Sequence, residues 1–289
     1  MINLVFYTEP KWAFGSIHYE LCKYLWPHGI NAQVLSWDQN YTTTELLQLF
    51  EEVDYIVTNA GGIVYLKTLY GIDIEEKVIV IIHGVSEIEF LIHNNVDFSK
   101  YKGYYTVSDY LTNKSIEKGI TRLPGKLSIG INFSNYYCSI SNKLSKLGYA
   151  GATHLPIKRY SLVQEISFIS GLPLITAYNH INSYISMKGF YKNVDAILNV
   201  STTEGAGLPV LEASAAGKLV FSTEVGHWND RCIGVTLPMG KDELVKKAVI
   251  ELVKYRDPLL YRNTCLEIQE HARSYDWAFV INDWIEAFS

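Results

Sequence analysis

Short, almost unbroken apolar runs recur along this chain, and stretches with a helical apolar period separate them. Val78-Ile-Val-Ile-Ile82 is the clearest run. A continuous run of β-branched residues suits a strand covered on both faces, as strands of a parallel sheet are. Parallel strands need crossover connections, and the amphipathic segments between the runs can supply them. Strand-like runs at Leu4–Tyr7, Ala32–Leu35, Tyr55–Thr58, Val78–Ile82 and Tyr104–Val107 alternate with helical segments that include Ile17–Trp26, Thr44–Glu52 and Asp109–Lys118. The stretch from Asn132 to Lys146 is polar, rich in Ser and Asn and poorly periodic, and reads as a linker. A second series follows, with runs at Leu147–Ala150, Leu174–Ala177, Ala196–Val200, Leu219–Ser222 and Ile233–Thr236. Lys241–Tyr255, Pro258–Arg273 and Trp277–Phe288 are helical by period. The expectation is an α/β chain of two similar lobes across a cleft. The bounds are 1–134 for the first lobe, 135–145 for the linker, 146–273 for the second lobe and 274–289 for a closing helix.

Composition narrows the function classes. The chain has 289 residues, enough for two modest domains, and its apolar share of 48% can build real cores. Twenty-five basic residues against 30 acidic give a net charge of −5. A nucleic-acid partner would call for a basic excess, so none is expected. A local basic patch in peripheral contact with an anionic membrane stays open. Cys22, Cys138, Cys232 and Cys265 lie far apart and form no C-x-x-C pair, which argues against zinc or a redox pair and for reduced thiols in a cytoplasmic setting. The opening Met1–Tyr7 is too short and uncharged for a signal peptide, and no apolar run approaches the ~20 residues of a membrane span. H-E-x-x-H, G-x-x-x-x-G-K-[ST] and G-x-S-x-G are absent, and no G-x-G-x-x-G follows the first strand.

The most informative stretch runs from Asp195 to Ser222 and reads strand, loop, helix, strand. Gly205 and Gly207 let the backbone come close to a ligand. Pro209 suits a first helical turn. The free N–H groups of that turn, with the helix dipole, favour an anion such as a phosphate. Glu204 sits in the loop, and Glu212 lies one turn into the helix with its side chain leaning back toward the start. Two carboxylates beside a phosphate would be repelled, so they suit neutral hydroxyls while the backbone holds the anion. A diphosphate flanked by sugars satisfies both demands. A lone E-G-x-G read by itself also fits a plain strand-turn-helix with a solvated Glu204.

Glu204 and Glu212, with Gly205, Gly207, Leu208 and Pro209 between them, resemble the E-x7-E signature of retaining glycosyltransferases of the GT-B fold, especially family 4. Val194-Asp195-Ala196, Ser201, Glu212-Ala213 and Ala216-Gly217-Lys218 fit the same pattern. The resemblance extends over nearly the whole chain. Ala150-Gly151 resembles the first strand-turn of the donor lobe, and Ser128-Ile-Gly-Ile-Asn132 the interdomain segment. Lys77–Gly84, Val107-Ser108 and Ser274-Tyr-Asp-Trp277 resemble further family strand and helix ends. The fold implied is two Rossmann-like lobes. The N-terminal lobe takes the acceptor and the C-terminal lobe takes the nucleotide-sugar donor. The last helix crosses back to the first lobe.

The resemblance implies a role for each matching residue. Glu204 would contact the transferred sugar near the reacting carbon, and Glu212 would hold the donor ribose. The amides of Gly205, Ala206, Gly207 and Leu208 would contact sugar and diphosphate. His83 would face the sugar from the opposite lobe. Gly15 and Ser16 match the glycine-rich first loop, where one of the usual two glycines is present. Lys158 matches the basic residue on the diphosphate. The arginine usual after the first donor-lobe glycine is replaced by Ala152, and the neighbouring Arg159 is expected to take its role. Tyr178, after the run ending at Ala177, is a candidate to stack on the base. From the residues alone, His83 fits a loop cap as well, Lys158-Arg159 fits a solvated basic pair, and Trp277 fits packing.

The implied activity moves a hexose-type sugar from a UDP- or GDP-sugar to a sugar, glycan, lipid-linked or protein acceptor. Retention of configuration comes with the resemblance. No cofactor beyond the donor substrate is expected. No metal is expected either, because the sequence lacks the D-x-D pair that metal-dependent sugar transferases use. A sugar-nucleotide epimerase or phosphorylase of the same fold, or a binding protein without turnover, are the rival readings.

Overall fold

The computed structural model describes residues 1–9, 13–37, 39–120, 125–177 and 184–289. The chain forms two compact units, 1–130 together with 277–289, and 131–276.

The first unit is built on five parallel strands: β1 (Ile2–Thr8), β2 (Ile30–Ser36), β3 (Tyr55–Thr58), β4 (Val78–Ile82) and β5 (Gly103–Thr106). Their order is β2-β1-β3-β4-β5. Leu4 to Tyr7 and all of β4 are buried, which is why these runs carry no polar alternation. Crossover helices start at caps written in the sequence. Thr42 forms a capping box with Glu45 ahead of the helix Thr43–Glu51, and Ser108 caps Asp109–Glu117. The closing helix Trp277–Ala287 packs against the helix Ala13–Leu25, and the Trp284 indole donates to the Ser128 carbonyl at 2.9 Å. Trp277 rests on Gly130, where a Cβ would lie 2.6 Å from the indole ring.

The second unit repeats the plan with β6 (Leu147–Tyr149), β7 (Leu174–Thr176), β8 (Ala196–Asn199), β9 (Leu219–Thr223) and β10 (Val235–Leu237). Its order is β10-β9-β8-β6-β7, all parallel. Residues 135–145, expected to link the lobes, belong to this unit. Tyr136, Cys138 and Leu144 are buried in its core, and the Gln269 amide ties the Cys138 carbonyl at 2.9 Å to the Ala215 carbonyl at 3.0 Å. The polar composition concealed these anchors because they are single residues scattered among Ser and Asn. The unit closes where the Ile131 N–H meets the Tyr275 carbonyl at 2.9 Å and the Phe133 N–H meets Asp276 at 2.9 Å.

Both sheets place their first strand between the strands that follow it. The order of connection reverses between β1 and β3, and again between β6 and β8. In open parallel sheets such reversals leave a crevice at the carboxyl ends of the two strands, where ligands bind. In the second unit that position is flanked by the loop after β6 and the loop after β8.

Candidate functional site

The loop after β8 delivers Ser201, Glu204, Gly205 and Ala206, then Gly207 at φ 78°, and turns into the eight-residue helix Leu208–Ala215 with Pro209 in its first turn. No side chain caps that helix; Pro209 has no N–H, and the Val210 N–H donates to the Gly207 carbonyl at 2.9 Å. The loop after β6 delivers Lys158 in a 3₁₀ turn, Pro156–Lys158. The two loops meet at one ion pair. Lys158 Nζ lies 2.5 Å from Glu204 Oε1, and the Ser201 hydroxyl donates to the same oxygen at 2.7 Å. Both charged side chains are mostly covered, at 19% and 13% exposure, so the pair sits in a medium where charge counts for more than in water. The Tyr149 hydroxyl donates to the Lys158 carbonyl at 3.3 Å. Burial, and then the Glu204 charge, push that phenol up.

A third loop, after β9, supports the loop after β8. The His227 N–H donates to the Ala206 carbonyl at 3.0 Å. Gly226 is left-handed at φ 61°, and a Cβ there would lie 2.6 Å from the Ala206 oxygen and 3.2 Å from Glu204 Cβ. A glycine is required for this approach.

Glu212 is buried, with 8% of its surface exposed. Among the described residues no cation pairs with it. Its two oxygens accept from two phenols, Oε1 from Tyr136 at 2.9 Å and Oε2 from Tyr191 at 2.8 Å. Burial raises its pKa to about 7, against the lowering effect of the Tyr191 and Tyr136 hydrogen bonds.

Arg159, expected at the phosphates, adopts a left-handed backbone, φ 45° and ψ 42°, between the 3₁₀ turn and the helix Tyr160–Ser170. From there its guanidinium donates to three backbone carbonyls: Val200 at 2.5 Å, Met239 at 2.7 Å and Ser201 at 3.4 Å. Lys158 and Arg159 therefore do different things in this structure. One meets Glu204, and the other fastens the ends of β8 and β10.

In the first unit, His83 follows β4 and is buried. Its N–H donates to Glu87 at 2.6 Å, and burial lowers the imidazole pKa to about 3. Burial also raises Glu87 to about 7, opposed by the backbone N–H groups of His83 and Gly84. His18 lies edge-on to His83, ring centroids 6.1 Å apart, and stacks on Phe6 at 4.5 Å. Gly15 and Ser16 lie in the first turn of the helix Ala13–Leu25, Gly15 buried and Ser16 half-buried. Tyr178 lies outside the described residues.

Glu204, Gly207, Leu208 and Glu212 lie on the loop after β8 and the helix it opens, and of the other sequence candidates Lys158 meets Glu204 directly. The structure also adds Tyr136, Tyr191, Gly226 and the Glu87 carboxyl, which the sequence did not single out. Tyr136 and Tyr191 lie 76 and 21 residues from Glu212, beyond any local spacing rule. Gly226 carried a weak signal, a Gly-His pair just after a buried strand. Among the described residues no three His, Cys, Asp or Glu side chains converge as a metal site would require. Among them, too, no helix is long and apolar enough to cross a membrane.

Neither a protein-family model nor a curated protein sequence matches this chain. Solved structures do. Sucrose-phosphate synthase from Thermosynechococcus elongatus superposes with a TM-score of 0.72 at 10% identity, over 100% of this chain and 98% of that one. HepE from Anabaena, solved with UDP and glucose, gives 0.69 at 11% identity over 99% of both chains. The catalytic domain of starch synthase IV from Arabidopsis thaliana, bound to ADP and acarbose, gives 0.69 at 11% identity over 99% and 98%. The chain has the GT-B fold, the two-sheet architecture of these glycosyltransferases.

Proposed function

We propose that the protein is a retaining, metal-independent glycosyltransferase that moves a hexose-type sugar from a nucleotide-diphosphate sugar to an acceptor hydroxyl. The observation that carries this reading is the meeting of Lys158, Glu204 and the open helix start at Gly207, beside the β6/β8 reversal, with Glu212 one turn deeper. A diphosphate fits the cation and the uncapped helix start with its dipole. Hydroxyl-bearing rings fit the two carboxyls. The fold shared with nucleotide-bound HepE and starch synthase supports it, as does the E-x7-E pattern.

In this reading the Lys158 ammonium and the amides from Gly205 to Leu208 stabilise charge as it develops on the diphosphate. The bond from the anomeric carbon to the β-phosphate oxygen breaks, and its electron pair stays on that oxygen. The acceptor oxygen bonds to the anomeric carbon, and its proton passes to the departing phosphate. Glu204 orients hydroxyls of the transferred sugar, and Glu212 holds the ribose. Neutral His83, with Gly15 and Ser16, is assigned to the sugar and acceptor. Arg159 acts on the loops rather than on the phosphates.

A thermal-shift panel of UDP-, GDP- and ADP-sugars tests the donor step, since a ligand that binds only the native state raises Tm by mass action. Stabilisation by one base series, followed by an NMR-detected glycoside with the donor's anomeric configuration and turnover in EDTA, is the expected result. Complete loss of turnover in EDTA, restored by Mn²⁺, would end the metal-independent claim. Donor epimerisation without transfer would favour the epimerase alternative. A Tm unmoved by every donor would end the reading. Glu204→Gln should lower kcat with little loss of donor affinity, whereas Glu212→Gln should weaken donor binding by roughly 1.5–3 kcal/mol, the worth of a charge-assisted hydrogen bond.

A further inference from the structure

We propose that Tyr136 and Tyr191 are positioning residues for Glu212, fixing its carboxylate so that each oxygen keeps one acceptor site free for one hydroxyl of a vicinal diol. The inference rests on the donor reading above and deepens it.

A carboxylate has two oxygens and about four hydrogen-bond sites. Tyr136 takes one on Oε1 and Tyr191 takes one on Oε2, at 2.9 and 2.8 Å. The division is even, which leaves one site on each oxygen. Two adjacent hydroxyls on a ring match such a pair of acceptors, and a single hydroxyl or a phosphate does not. The phenols come from separate elements, the helices Phe133–Tyr136 and Tyr184–Lys192, and their rings meet edge to face at 6.0 Å and 71°. Both are essentially buried, at 2% and 0% exposure. Neither can turn away without opening the core, so the carboxylate is held from two sides.

The bland account is that two tyrosines merely satisfy a buried acid. Yet the helix Leu208–Ala215 is otherwise made of small and apolar residues, its positions from Val210 to Ala215 are buried, and an apolar residue would pack there without any partner. A carboxyl with no cation costs free energy in such a place. The cost is explained if Glu212 has a ligand to hold. The phenols also oppose the effect of burial and so keep more of the carboxyl ionised near neutral pH. No lysine, arginine or second acid is recorded in contact with it, so they are the groups that tune it among the described residues.

The test uses the full chain with Tyr136→Phe, Tyr191→Phe and Glu212→Gln. The Glu212 carboxyl is titrated directly by ¹³C NMR, and the binding of UDP, GDP and ADP is measured by calorimetry from pH 5 to 9. Each Phe variant should raise the carboxyl's midpoint. At pH 7 it should weaken the nucleotide that binds wild type about five- to tenfold and recover part of that at higher pH, because each pH unit of midpoint changes the ionised fraction up to tenfold. A 2′,3′-dideoxy version of that nucleotide should bind wild type and the Phe variants alike. The effect should also vanish in a Glu212→Gln background, as a double-mutant cycle detects. Loss of affinity that is independent of pH, or that persists in Glu212→Gln, would show the phenols to be packing only and overturn the inference. If no nucleotide binds wild type, the donor reading falls, and the diol proposal with it. If a nucleotide binds but the NMR midpoint stays put in both Phe variants, the inference alone falls.

Discussion

Arg159→Ala separates a phosphate ligand from a loop tether, and the structure gives the size of the effect. The guanidinium donates to Val200, Ser201 and Met239. The three bonds are not equal losses. Ser201 O keeps a second donor, the Thr223 hydroxyl at 2.6 Å. Met239 is 45% exposed, so water can replace the arginine there. Val200 is fully buried, and its carbonyl would be left without this charged donor. Stranding a buried acceptor costs about 1–3 kcal/mol. The left-handed backbone at 159 strains alanine as it strains arginine, by roughly 1–2 kcal/mol, so that contribution cancels. Arg159→Ala should therefore lose about 2 kcal/mol, a fall of about 4–8 °C in Tm for a unit of this size. Arg159→Gly relieves the strain and should lose less than the alanine variant. Arg159→Lys can satisfy one carbonyl and should fall between alanine and wild type. Differential scanning calorimetry beside steady-state kinetics reads both quantities. A native Tm in Arg159→Ala with kcat/KM reduced as far as in Lys158→Ala would refute the tether and return Arg159 to the phosphates.

Gly226→Ala should lower donor affinity and cost at least about 2 kcal/mol, because its Cβ would press on the Ala206 carbonyl from a left-handed backbone; calorimetric titration and Tm would both move. Gly130→Ala should destabilise the first unit by about 1–3 kcal/mol through overpacking against Trp277, read by denaturant unfolding, and an unchanged midpoint would mean the closing helix has room to shift. Glu212 has a folded pKa near 7 against an ordinary 4.5, so the folded chain binds more protons than the unfolded one across that window, and this group's contribution to stability falls as pH rises from 4.5 to 7. Relative to wild type, Glu212→Gln should therefore gain at most about 3 kcal/mol between pH 4.5 and 8 in urea-melt comparisons, and a constant difference would mean the carboxyl titrates normally.

The two sheets were legible because a buried parallel strand must be apolar on both faces, and each of the ten runs read from the sequence contains or overlaps a strand. Val78–Ile82 matches its run at both ends. The helix Val85–His93 was not singled out. It starts at Gly84 without a capping side chain, and Glu87 instead turns back to the His83 N–H. The segment after Asn132 misled for another reason. Composition averages over neighbours, whereas Tyr136 and Cys138 act singly, one through a hydroxyl on Glu212 and one through a carbonyl on Gln269.

Within the site, what could be read was what spacing enforces. The spacing puts Glu204 in the loop after β8 and Glu212 one turn into the helix Leu208–Ala215, which is where the structure has them. Arg159 shows the limit of the same logic. Adjacency to Lys158 suggested a shared target, but the sign of one backbone angle sends the two side chains to different partners. A left-handed arginine carries no composition signal, because the preference for glycine or asparagine at positive φ is a statement about cost, and three carbonyl bonds can offset it. The same holds for Lys158 and Glu204. The family pattern assigns one to phosphate and the other to sugar. The structure brings them into contact, so under the proposed donor reading the ligand has to reorganise a mostly covered ion pair. A diphosphate is suited to this, since it offers Lys158 more negative charge than Glu204 does. In that reading the freed carboxylate gains the sugar hydroxyls in place of the ammonium, and donor binding and the readying of Glu204 are one event.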